Sequence, residues 1–201
     1  MLLALYGIVA VVNLLGPWHW TELFTKPLLM PILALWVWFH GRHKLIIAAL
    51  LFSWAGDVAL MNSDKQLWFI AGMVFFLGAH ICYITAFLRS GARVNKVIAV
   101  TYALVFLAAL IWLWKPLGAM AIPMTAYGLA LTTMAVTSAG VSWKTGLGGA
   151  FFFVSDMLIA VRVAGVVKHT DFAVMLTYVI AQALIAIGYV RARAARVAGG
   201  A

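Results

Sequence analysis

Phe52-Ser53-Trp54-Ala55-Gly56-Asp57-Val58-Ala59-Leu60-Met61 sets a carboxylate inside an apolar run. A charged side chain at the centre of a bilayer costs at least ~2.5 kcal/mol on insertion scales, so an intramembrane acid faces a protein interior and marks a site. A second run of the same kind, Phe151-Phe152-Phe153-Val154-Ser155-Asp156-Met157-Leu158-Ile159-Ala160, buries another. The acidic residues are Glu22, Asp57, Asp64, Asp156 and Asp171, and only Asp57 and Asp156 fall well inside apolar segments.

The surroundings of these runs decide the fold class. Of 201 residues, 66% are hydrophobic and only 9% charged, and the mean hydropathy is +1.08. Such a composition lies far outside the range of a water-soluble domain and predicts an all-α, polytopic membrane protein. A membrane-crossing helix needs ~20 apolar residues. Cutting the chain at its charged and Gly/Pro-rich breaks gives about eight spans, near 1-16, 22-40, 44-61, 66-88, 96-114, 118-138, 145-165 and 171-190. The connections are short, so neighbouring helices should run antiparallel in a single transmembrane domain covering 1-201, as one bundle. The first segment has no basic residue before its apolar run and no small-residue cleavage site after it, and reads as a retained helix rather than a signal peptide.

A net charge of +9 raises the question of nucleic acid, but the basic residues lie mostly in short loops and in the tail. That is where topology signals and contacts with anionic lipid belong, and a nucleic-acid partner is rejected. Arg42, Lys44, Arg89, Arg93, Lys96, Lys144, Arg191, Arg193 and Arg196 fall on one side of the eight-span plan, against Lys65, Lys115, Arg162 and Lys168 on the other. Both termini are therefore expected in the cytoplasm, and the membrane is the cytoplasmic one if the source is bacterial. Trp18, Trp20, Trp68, Trp112, Trp114 and Trp143 stand near span ends as interfacial anchors. Cys82 is the single cysteine, which excludes an intramolecular disulfide and a cysteine-rich metal site.

On this plan Lys26, Asp57 and Asp156 lie in the half of the membrane away from the cytoplasm, with Gln182 nearer the middle and His80 and Tyr83 deeper. They could line one pocket that narrows inward. A shift of ninety-nine residues (57 to 156) aligns Phe52 with Phe151, Asp57 with Asp156 and Tyr83 with Gln182. Such a match suggests a parallel 4+4 internal repeat about an axis along the membrane normal.

Helical spacing groups the remaining polar residues. Ser53 and Asp57 share a face, with Gly56 beside them allowing close helix approach. Phe76, His80 and Tyr83 share another, as do Tyr178 and Gln182. Ser53, Ser155, Tyr178 and Gln182 read equally well as interhelical hydrogen bonds worth ~0.6 kcal/mol each. An aspartate is different, because Asn or Ser would make such a bond at lower desolvation cost. Lys26 can bridge to Glu22 four residues earlier, and Arg162, off the face of Asp156, can snorkel to the interface. Two carboxylates close together in a low dielectric do not both ionise readily, which provides one acid and one base. No G-x-S-x-G, Walker pattern or H-x-x-x-H spacing is present, and neither a metal nor another cofactor is expected.

Taken in order, Lys26-Pro27, Ser53-x-x-Gly56-Asp57-x-x-Leu60, Gly72-x-x-x-Phe76-x-x-x-His80-x-x-Tyr83 and Phe152-x-x-Ser155-Asp156 resemble the YhhN family of lysoplasmalogenase-like integral membrane proteins. The resemblance covers nearly the whole chain. It implies hydrolysis of the vinyl ether bond of a lysoplasmalogen, a lysophospholipid, to a fatty aldehyde and a glycerophospho-alcohol. Vinyl ether cleavage begins by protonation of the β-carbon, and water then captures the oxocarbenium ion. It therefore needs an acid, a carboxylate to stabilise the cation and activate water, and an apolar cavity. Asp57 and Asp156 would be that pair, Lys26 would set their ionisation or bind the lipid phosphate, and His80 and Tyr83 would position substrate or water.

Three other classes compete with a hydrolase. Intramembrane aspartates and a parallel repeat also suit a small proton-coupled transporter, which would show solute counterflow without product. A non-catalytic lipid-binding protein would keep the fold without the reaction. A diaspartyl intramembrane protease would need Gly at Trp54 for its G-x-G-D motif and Tyr at Ser155 for its Y-D motif.

Overall fold

The computed structural model describes residues 1–16, 19–62 and 65–199, with backbone alone for 19–22. Among these residues the regular structure is entirely helical. In order the helices are α1 (Leu2–Leu15), α2 (His19–Phe39), α3 (Lys44–Leu60), α4 (Gln66–Arg89), α5 (Lys96–Leu117), a 3-10 turn (Gly118–Met120), α6 (Ala121–Ala139), α7 (Trp143–Val163) and α8 (Asp171–Gly199). Four helical stretches are long and apolar enough to cross a membrane: 66–89, 96–139, 143–163 and 171–199. The stretch 96–139 is a hairpin, because a Cβ on Gly128 of α6 would lie 2.5 Å from the Phe106 ring of α5. Twenty-two residues of unbroken helix would hold those positions about 33 Å apart.

Two compact units divide the chain, Met1–Ala86 and Phe87–Ala201, with the boundary inside the unbroken helix α4. In the first unit, Asn13 of α1 donates to Thr25 Oγ1 of α2 at 2.7 Å. Pro27 and Pro31 lie within α2, so the carbonyls of Leu23 and Pro27 lose their usual i+4 donors. Helix α3 crosses α4 where side chains are smallest. A Cβ on Gly56 would meet the Phe76 ring at 2.7 Å and Gly72 O at 3.3 Å, and one on Gly72 would meet Leu60 at 2.7 Å.

The second unit is built on the same physics with different residues. A Cβ on Gly148 of α7 would sit 2.8 Å from the backbone nitrogen of Ile185 and 2.9 Å from Ala181 O, both on α8. One on Gly188 of α8 would sit 2.7 Å from Thr145 N, so the α7 and α8 backbones nearly touch over about two turns of α8. Gly149 closes in the same way on Ser138 of α6. Asn95 caps α5, accepting from Val97 N at 2.9 Å and Ile98 N at 3.3 Å. Ser142 caps α7 by accepting from Thr145 N at 3.2 Å. At the other end of these helices Leu113, Leu117, Ala121 and Val161 form a buried apolar cluster around the α5–α6 turn.

Two expectations change on contact with the structure, and a third lies outside the described residues. Helix α8 continues to Gly199 instead of stopping near 190, because Arg191, Ala192, Arg193, Ala194, Ala195 and Arg196 are strong helix formers that hydropathy alone treats as a break. Arg162 forms an ion pair with Asp171, the first residue of α8, rather than reaching alone to the interface. A pairing of Lys26 with Glu22, like anchoring by Trp18 and Trp20, involves side chains outside the described residues.

Candidate functional site

Among the described residues each unit buries one carboxylate. Asp57 is 4% exposed on α3, one turn beyond the fully buried Ser53, and Gly56 beside it forms the close crossing with α4. On α4 the residues Phe76, His80 and Tyr83 are all buried, as a shared inward face requires. Lys26 is half-buried on α2.

A residue that the sequence reading passed over joins this group. Tyr6 of α1 is buried and close enough to Asp57 for the two to interact electrostatically, and Tyr83 stands in the same relation to Tyr6. Asp57, Tyr6 and Tyr83 thus bring α1, α3 and α4 together in one polar cluster. Nothing in the sequence singles out this tyrosine, since the residue suits cores and membrane interfaces alike.

In the second unit Asp156 is 8% exposed on α7 and accepts a hydrogen bond at Oδ2 from the Tyr127 hydroxyl of α6. Tyr127 was also absent from the sequence-derived candidates. A tyrosine inside an apolar span packs as readily in a core as at a site, so the sequence alone does not single it out. The neighbouring Ser155 donates to Val174 O of α8 at 3.0 Å, which ties α7 to α8. Phe152 meets Tyr178 edge-on, with ring centroids 5.6 Å apart and planes at 89°. Gln182, one turn beyond Tyr178, is fully buried. Asp156, Ser155, Tyr178 and Gln182 therefore sit within one α6–α7–α8 assembly.

What this arrangement offers is proton chemistry. A carboxylate held by a phenol in an apolar setting has a fixed orientation, and a carboxyl group there can give or take a proton. Among the described residues no three His, Cys, Asp or Glu side chains cluster as metal ligands.

Fold and buried acids together define an all-α integral membrane protein. Within that class, the YhhN family model matches residues 21–189, and the chain belongs to the YhhN family. It is 31% identical over 169 residues to lysoplasmalogenase TMEM86B of Sus scrofa, covering 79% of this chain and 71% of that protein. Lysoplasmalogenase TMEM86A of Homo sapiens is 28% identical over 186 residues, covering 82% of this chain and 77% of its own. A lysoplasmalogenase of Mycobacterium bovis is 34% identical over 135 residues, covering 60% and 51% respectively. No solved structure matches the chain.

Proposed function

We propose that this chain is a membrane-embedded ether hydrolase of the lysoplasmalogenase kind, acting on the vinyl ether of a lysophospholipid with Asp57 and Asp156 as its acid and base. The observation that carries this reading is the burial of both aspartates in apolar helices, 4% and 8% exposed, in a chain whose relatives bear the name lysoplasmalogenase. A carboxylic acid donates its proton to the β-carbon, leaving an oxocarbenium ion at the ether carbon. The carboxylate stabilises that cation and takes a proton from the attacking water, which gives a hemiacetal. Collapse of the hemiacetal breaks the remaining bond to the glycerol oxygen, which takes up a proton, so one water is consumed and one aldehyde and one alcohol leave.

The phenols fit this scheme as positioning groups. Tyr127 would orient Asp156 through their hydrogen bond, and Tyr6 would shape the field at Asp57. Lys26 would meet the lipid phosphate, Ser53, His80, Tyr83, Tyr178 and Gln182 would position substrate and water, and Ser155 would hold α7 on α8 through Val174 O. The division of the chain after residue 86 puts each aspartate on the third full-length helix of its unit, which supports a parallel 4+4 plan of eight spans. Cytoplasmic termini are supported by the basic end of the second unit, considered below.

Hydrolysis in D2O tests the reaction. One deuteron should appear on the carbon next to the aldehyde carbonyl, read by mass spectrometry of the trapped product. No aldehyde, or aldehyde without that deuteron, would overturn the mechanism.

A further inference from the structure

A groove of about 630 Å³ opens in the second unit between the first turns of α5 and α7 and the last turn of α6. Its lining is Val97, Ile98, Thr101, Tyr102, Ala139, Trp143 and Gly146, apolar apart from two hydroxyls. The volume falls within the ~300–1,000 Å³ of small-molecule sites. It is not the Asp156 site: Gly146 precedes Asp156 by ten residues on α7, about 15 Å of helix rise.

Charge distinguishes the mouth of this groove. Lys96 opens α5 and Lys144 lies in the first turn of α7, its ammonium 5.4 Å from the centre of the Trp143 ring. Arg93 belongs to the same end, since a Cβ on Gly140 would meet its backbone at 2.5 Å. The α8 tail reaches the same end of the unit without lining the groove: Ser142 Oγ lies 3.5 Å from Gly188 O, and Arg196 approaches Gly91. Seven basic residues, Arg89, Arg93, Lys96, Lys144, Arg191, Arg193 and Arg196, thus collect at this end of the unit. The acids of the unit lie elsewhere, Asp156 within α7 and Asp171 paired with Arg162 at the opposite end. The starts of α5 and α7 add partial positive charge, which the last turn of α6 offsets in part.

We infer that this groove holds one anionic phospholipid of the surrounding bilayer, its phosphate between Lys96 and Lys144 and its upper acyl chain along Val97, Ile98 and Ala139. Trp143 sits at the mouth at interfacial depth, where an indole ring is favoured. Thr101 and Tyr102 lie one turn further in, level with the glycerol esters of such a lipid. Tyr102 also meets Phe153 of α7 edge-on at 5.3 Å, so an occupied groove would brace α5 against the helix that carries Asp156.

Native mass spectrometry of the full-length protein in detergent, titrated with dioleoylphosphatidylglycerol or dioleoylphosphatidylcholine, tests this. One phosphatidylglycerol should be retained under conditions that strip phosphatidylcholine. Lys96→Ala/Lys144→Ala should weaken that retention at least about tenfold. Thr101→Trp, which fills the groove and keeps every charge, should abolish it. Arg191→Ala/Arg193→Ala/Arg196→Ala should retain the lipid, because those residues lie on the tail and not at the mouth. Equal retention of both lipids, undiminished binding in the lysine pair, or loss only in the arginine triple would overturn the inference. Circular dichroism of each variant establishes that it is folded.

Discussion

At the scale of the residue, each buried carboxylate has a phenol for company: Tyr6 for Asp57 and Tyr127 for Asp156. A hydrogen bond to a charged group contributes about 1.5–3 kcal/mol. Tyr127→Phe should therefore lower kcat about ten- to a hundredfold, with KM nearly unchanged, in an aldehyde-release assay. If KM rose and kcat held, Tyr127 would be a substrate contact instead. The carboxylates were legible in the sequence because an acid in an apolar run has no inexpensive explanation. The phenols were not, since tyrosine is at home both in cores and at membrane interfaces, and only the fold brings residue 127 to residue 156. Ser155 shows the opposite limit. Spacing left it open between chemistry and packing, and its bond to Val174 O ties it to the α7–α8 contact.

Among elements, glycine governs how closely helices approach. Lipid tails are as apolar as leucine, so helix association in a bilayer depends on packing and on backbones coming near one another. Gly148→Leu would drive a side chain into the backbone of Ile185 and Ala181. Overpacking of this kind costs about 1–3 kcal/mol, and a clear fall in the detergent melting temperature is expected. Gly7 of α1 is the contrast, with no atom within 4 Å of an added Cβ. Gly7→Ala should leave the melting temperature unchanged or raise it, since Gly in a helix interior costs roughly 0.5–1 kcal/mol relative to Ala. The close approach at Gly56 was legible from its place beside a buried acid. That at Gly148 and Gly188 was not, because a glycine in a helix carries no mark of what packs on it. The length of α8 was misjudged for a related reason: hydropathy reports where a span leaves the lipid, and helix propensity decides where the helix ends.

For the whole molecule, the charge bias that gave the orientation in sequence has a physical counterpart in the second unit. Its basic residues gather at one end, while Arg162 at the other is neutralised by Asp171. In a Cys82→Ser background, Ala198→Cys should resist a membrane-impermeant thiol reagent on intact cells and react after lysis. Ala119→Cys, exposed in the turn between α5 and α6, should react before lysis. The reverse pattern would invert the topology. The all-α membrane class followed from composition alone, because 66% hydrophobic residues leave no soluble alternative. Function was legible only through the ordered motifs around Lys26, Asp57, His80 and Asp156, since no single spacing among them specifies a reaction.

The most direct test of the account is aldehyde release from a lysoplasmalogen by the detergent-purified protein, beside Asp57→Asn and Asp156→Asn shown to be folded. Aldehyde is expected from the wild type, with rates at least about a hundredfold lower in each variant, as loss of a general acid or base entails. Wild-type rates in both variants, or no aldehyde from folded wild-type protein, would contradict it.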